Sequence, residues 1–150
     1  VTALIPMLWL NWPPAKMFLG DAGAVPLGFM MALIGMLAFN QSQSLGFAWA
    51  VLMMPFLIDA TITLLLRITN GDVWYLPHND HAYQCLARLY GGALPVCFGL
   101  IGMHLLFLFP LAFAIVEQPR YQFFLVSLST LPTLFLMVYI RRSAYTNSSR

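Results

Sequence analysis

The stretch A-L-P-V-C-F-G-L-I-G-M-H-L-L-F-L-F-P-L-A-F-A-I-V, Ala93 to Val116, contains no Asp, Glu, Lys or Arg. Crossing the hydrocarbon core of a bilayer takes roughly 20 mostly apolar residues in helical conformation. This run is long enough and bare enough to do so. Three further runs read the same way: Gly23–Phe39, which is short and recruits its flanks, Leu45–Leu66, and Tyr121–Ile140. The 150-residue chain is 61% hydrophobic and 8% charged, more apolar than the interior of a soluble domain of this length requires. The expected fold is therefore all-α, a polytopic transmembrane helix bundle of about four spans.

Val1 to Leu10 is a fifth apolar piece, too short to span. It has neither the basic start nor the cleavage site of a signal peptide and reads as the end of a preceding helix. The chain is thus expected to be a single transmembrane domain, residues 1–150, forming the C-terminal part of something longer.

Lys16, Arg67, Arg88, Arg141, Arg142 and Arg150 fall in alternate polar segments, whereas Asn40–Ser44 carries no charge and Glu117–Arg120 one arginine. By the positive-inside rule, Leu10–Ala22, Arg67–Gly92 and the tail face the cytoplasm, and two short turns face outward. Any chemistry is expected on the cytoplasmic face. Cys85 belongs to a cytoplasmic segment and Cys97 to a span, which argues against a disulfide. The net charge of +2 follows from topology and calls for no nucleic-acid partner.

The first cytoplasmic segment runs N-W-P-P-A-K-M-F-L-G-D-A-G-A, Asn11 to Ala24. Pro13 and Pro14 stop the preceding helix, and Gly20 and Gly23 allow backbone conformations closed to other residues and close approach of a ligand. Asp21 is placed at the mouth of the next helix. The N–H groups there suit a phosphate, and a carboxylate beside them suits a Mg2+ ion that bridges phosphates. A cap for the helix is the alternative role of Asp21. Lys16 either meets a phosphate or only marks the cytoplasmic side.

In the second segment, Asn70-Gly71-Asp72 predicts a turn, and Asn79 or Asp80 a cap for a short helix running to about Tyr90. His81, Gln84 and Arg88 then share a polar face, opposite Ala82, Leu86 and Leu89. Such a helix can lie at the membrane surface and offer a cation and an imidazole to a headgroup phosphate, or be a solvated loop helix with an incidental histidine. Asp59, about eight residues or ~12 Å of helix from Arg67, is expected to be hydrogen bonded within the bundle, with contact to substrate as the alternative. His104 reads as a neutral packing histidine. Gly28, Ala32 and Gly35 read as a small-residue surface for a neighbouring helix.

Together the two segments resemble the polyprenyl-phosphate N-acetylhexosamine-1-phosphate transferases. N-W-P-P-A-K-M-F-L-G-D-A-G-A is similar to the family's Asn…Pro-Ala…Phe-(Met/Leu)-Gly-Asp-x-Gly-Ser segment. M-P-F-L-I-D-A-T-I-T-L-L-L-R, Met54 to Arg67, followed by N-G-D-V-W-Y-L-P-H-N-D-H-A-Y-Q, Asn70 to Gln84, resembles its Pro-x-x-x-Asp…Arg…Gly…Pro…His loop, closest in form to the O-antigen initiating branch.

The resemblance implies a bacterial inner-membrane enzyme that moves a sugar 1-phosphate from a UDP-sugar to undecaprenyl phosphate with Mg2+. The reaction would start a lipid-linked glycan of the cell envelope, such as the O-antigen of lipopolysaccharide. It implies catalytic roles for Asp21, at the metal, and His81, at substrate phosphate; Asn11, Lys16, Gly20, Gly23 and Arg88 would bind substrate. A homodimer is allowed. Three departures accompany the match. Ala24 replaces a frequent Ser, His81-Ala82-Tyr83-Gln84 replaces His-x-His-His, and the family's aspartate pair has no counterpart. The chain is therefore expected to supply part of an active site. A non-catalytic remnant of such an enzyme, or a small transport protein, is the alternative.

Overall fold

The computed structural model describes residues 4–12, 16, 17, 19–71, 73, 75, 76 and 81–148, with side chains described to residue 140. Asn79 and Asp80, named above as caps, lie outside the described residues. Those residues form helices and connecting turns only: α1 (Leu4–Asn11), α2 (Gly20–Gln41), α3 (Gln43–Asn70), α4 (Ala82–Leu89), α5 (Ala93–Met103), α6 (Phe109–Glu117) and α7 (Gln122–Ser148). A five-residue π-helical turn, His104–Leu108, joins α5 to α6. Four helical stretches are long and apolar enough to cross a membrane: Gly20–Gln41, Gln43–Asn70, Ala93–Glu117 and Pro119–Ile140. Each contains one of the runs read from the sequence.

Local chemistry sets the breaks. Ser42 caps α3, its hydroxyl accepting the Leu45 N–H at 3.1 Å, so α2 and α3 form a hairpin with almost no loop. Gly71, with φ +79°, closes α3 in the left-handed conformation, its N–H donating to the carbonyls of Arg67 and Ile68. The predicted Asn-Gly turn is thus a helix C-cap. The π turn lies just before Pro110, whose ring would crowd the carbonyl four residues back in an unbroken α-helix. It widens the span at that point without interrupting it.

Helix α3 packs against α2, α6 and α7 and organises the bundle. Its Ala48 and Val51 meet Leu108, Ala112 and Ile115 in one buried cluster. A second cluster joins Ala82 and Cys85 of α4 to Met137 and Ile140 of α7, with Ile58 and Ile62 of α3 against them. Most other large apolar side chains are exposed, as expected where lipid rather than water is the solvent. Gly35 gives α2 its close approach to α3: a Cβ there would stand 2.9 Å from the Trp49 ring. Gly28 faces open space, so the small-residue surface is narrower than its spacing suggested.

The connections alternate between ends. The α2–α3 and α6–α7 turns meet at one end, where Ser44 donates to Gln122 at 3.2 Å and Gln122 to Gln43 at 3.2 Å. By helix direction, the start of α2, the end of α3 and the start of α5 lie at the other. The basic segments thus share one end of the bundle.

Candidate functional site

At that end, α4 is attached to α3 by one carboxylate. Asp59 is 6% exposed although it lies within a spanning helix. Its Oδ1 accepts the backbone N–H of Ala82 at 2.8 Å, and its Oδ2 lies 3.1 Å from His81 Nδ1. Thr63, one turn further along α3 and fully buried, donates its hydroxyl to the Asp59 carbonyl at 2.6 Å, and its Oγ1 is 3.4 Å from the same His81 nitrogen. A buried carboxylate in an apolar surround is costly unless hydrogen bonded, and these contacts satisfy it. The expectation that Asp59 is bonded within the bundle holds.

His81 is itself the N-cap of α4. Its backbone N–H donates to Gln84 Oε1 at 3.2 Å, the return half of a capping box, and its ring stacks on Tyr83 with centroids 5.7 Å apart. The face assignment changes. Ala82 and Cys85 form the buried side, Leu86 is half-buried, and Leu89 is exposed. His81 Nδ1 points toward α3, and the exposed Arg88 donates its guanidinium to the buried Cys85 Sγ at 3.1 Å. Both cysteines are free thiols, as expected. After α4, Gly91 at φ +70° turns the chain and lets the Gly92 N–H return to the Ala87 carbonyl at 2.8 Å.

The first segment is placed differently. Gly20 has φ +59°, a conformation that favours glycine, and α2 begins there. Gly23 does not share that role: it is helical, and its missing Cβ makes room for the Leu19 side chain. The N-cap is Leu19, which offers no capping group. Asp21 stands in the first turn, exposed, where a negative charge complements the helix dipole. Asn11 is the exposed last residue of α1, and Lys16 is exposed with its backbone N–H on the Leu10 carbonyl at 2.9 Å. The Trp12 ring meets Phe98 of α5 edge-on at 6.1 Å, bringing the end of α1 against the bundle.

Asp21 and His81 thus belong to one end of the molecule but to separate elements: α2 packs on α3, and α4 on α5 and α7. Among the described residues, no three His, Cys, Asp or Glu side chains converge as a metal site. Sequence reasoning missed Thr63. The spacing of Asp59 and Thr63, one helical turn apart within an apolar run, was the available signal.

The fold and the polar end define a polytopic helical membrane protein. Residues 1–40, which include Asn11, Lys16, Gly20, Asp21 and Gly23, match the model of "Glycosyl transferase family 4". The chain is also similar to a protein of Bacillus subtilis (strain 168) described as "Probable undecaprenyl-phosphate N-acetylglucosaminyl 1-phosphate transferase". It is 26% identical to it over 92 residues, which cover 57% of this chain and 25% of that protein. These two matches bear out the resemblance to the polyprenyl-phosphate sugar-phosphate transferases read from the motifs. The chain spans about a quarter of the length of that curated relative. No solved structure matches it.

Proposed function

We propose that the chain is part of a membrane glycosyltransferase that transfers a sugar 1-phosphate, of the N-acetylhexosamine type, from a UDP-sugar to undecaprenyl phosphate. The observation that carries this reading is the glycosyl transferase match over residues 1–40, the segment holding Asp21 at the start of α2. In the proposed reaction an oxygen of the lipid phosphate attacks the β-phosphorus of the UDP-sugar. The bond from that phosphorus to the bridging oxygen of UMP breaks, leaving a lipid pyrophosphoryl sugar and UMP. Two anions must approach each other, so neutralising their charge lowers the barrier most.

Asp21 fits a Mg2+ ligand. It is an exposed carboxylate in the first turn of α2, and such an ion commonly takes one or two carboxylates and fills its shell with water and phosphate oxygens. Bound there, Mg2+ would supply charge neutralisation at the diphosphate. Lys16 and Arg88, both exposed, supply positive charge for the phosphates, and His81 acts at the substrate phosphate. The helices offer apolar surface along which a prenyl tail can lie. The remaining acidic groups of the site belong to portions of the enzyme outside this chain, as the quarter-length coverage of the relative suggests. The site is assigned to the cytoplasmic face of a bacterial inner membrane, on the strength of the basic segments gathered at one end. Starting a lipid-linked envelope glycan, such as O-antigen, is the pathway role that fits.

The test is release of UMP from a UDP-N-acetylhexosamine by membranes carrying the full-length parent. Release that requires both Mg2+ and added undecaprenyl phosphate supports the reading. Absence of release with every UDP-N-acetylhexosamine tried leaves a non-catalytic relative.

A further inference from the structure

The proposed reaction gives His81 a task and leaves Asp59 without one. Yet a single carboxylate, inside a spanning helix, holds both the His81 ring and the first N–H of the helix that His81 caps. The hydrogens around the ring can be assigned. Thr63 has one hydroxyl proton, and the Asp59 carbonyl at 2.6 Å takes it, so toward His81 Nδ1 the Thr63 oxygen is an acceptor. The Asp59 carboxylate is an acceptor as well. The capping box also brings the Gln84 backbone N–H to the His81 side chain, and of the groups around the ring the anionic carboxylate, 3.1 Å from Nδ1, is the strongest and holds the proton on that nitrogen. Proton exchange by this ring then takes place at Nε2.

We infer that Asp59 is the positioning residue of His81, fixing its imidazole as the Nδ1–H tautomer so that Nε2 serves the phosphate chemistry. The inference rests on the transfer reaction proposed above for its purpose, though not for its geometry. The same carboxylate fixes the ring in rotation and the backbone of the next residue in place, so ring and helix start move together. Thr63 supports the arrangement by presenting a lone pair and no proton. A carboxylate that only tied the loop down would be replaceable by an amide. Asparagine at position 59 can still accept the Ala82 N–H through its carbonyl oxygen, but its NH2 would then face Nδ1. That nitrogen would have to accept, and the proton would move to Nε2.

The experiment is nitrogen NMR of 15N-histidine-labelled protein in bicelles, with His81→Gln to assign the His81 resonances, on the wild type and on Asp59→Asn. It is paired with kcat and KM of the parent enzyme. The expected result is a protonated Nδ1 in the wild type and a switch to the Nε2–H form in Asp59→Asn. In the parent, kcat should fall at least about tenfold, as when a histidine's carboxylate partner becomes an amide, with KM nearly unchanged and part of kcat recovered by Asp59→Glu. A wild-type His81 in the Nε2–H form overturns the inference without any variant. So does an Asp59→Asn protein whose tautomer or kcat matches the wild type. A wild-type parent that releases no UMP defeats the proposed reaction instead, and the tautomers still decide whether Asp59 sets the state of His81.

Discussion

The Ala82 N–H donates to the Asp59 carboxylate across 2.8 Å, joining residues 23 positions apart, with Ala82 fully buried. The start of α4 is therefore anchored to a spanning helix. Asp59→Ala leaves that N–H buried without its acceptor, a defect worth about 1–3 kcal/mol. Amide exchange at Ala82 and through the first turn of α4 should quicken in this variant, while exchange in the α2–α3 hairpin stays as in the wild type.

His104 offers a second joint, near the middle of the span Ala93–Glu117. Its Nε2 lies 3.1 Å from the Leu52 carbonyl of α3 and its Nδ1 2.8 Å from the Leu100 carbonyl of its own helix. His104→Ala removes the link between helices and should lower stability in detergent by about 0.6–2 kcal/mol, the range for hydrogen bonds between membrane helices. An unchanged denaturation midpoint would show that packing around the π turn carries that contact alone.

Two glycines in α2 should behave oppositely. Gly35→Ala places a Cβ 2.9 Å from Trp49 and should destabilise the α2–α3 hairpin by about 1–3 kcal/mol, since overpacking forces side chains from their preferred rotamers. Gly28→Ala meets nothing within 4 Å and should be neutral or stabilising. Thermal denaturation of both in one detergent checks the contrast.

Orientation is tested by a reporter active only in the cytoplasm. Fused after Gly71 it should give signal, and fused after Gln43 it should not, because the two positions lie at opposite ends of α3. Signal at Gln43 would reverse the assignment of the basic end.

The spans were legible because apolar length is a one-dimensional property: each run read from the sequence lies within a single helical stretch. Gly71 was legible too, though as a turn and not as the helix C-cap it proves to be. What escaped depended on contacts between distant residues. The polar face drawn for α4 placed His81 outward with Arg88, but the ring is drawn inward by Asp59, 22 residues earlier in the chain. Helical periodicity cannot reveal that partner. Gly23 was grouped with Gly20 by residue type, although only Gly20 has a positive φ. The π turn before Pro110 was invisible because widening one turn leaves the apolar run unaltered. Asp21 was placed correctly near a helix start, and its exposure removes nothing from a metal role and adds nothing to a capping one.

The central claim is that this chain helps move a sugar 1-phosphate onto a lipid phosphate, and the β-phosphorus is the atom to follow. A UDP-N-acetylhexosamine labelled with 32P at the β-position, incubated with undecaprenyl phosphate, Mg2+ and membranes carrying the full-length parent, should pass its label into the lipid extract. Asp21→Asn should reduce that transfer by about two orders of magnitude or more while membrane insertion is unchanged, since loss of a mere helix cap costs only about 1 kcal/mol of stability. Label that stays in the aqueous phase with the wild type, or that enters the lipid equally well with Asp21→Asn, would contradict the account.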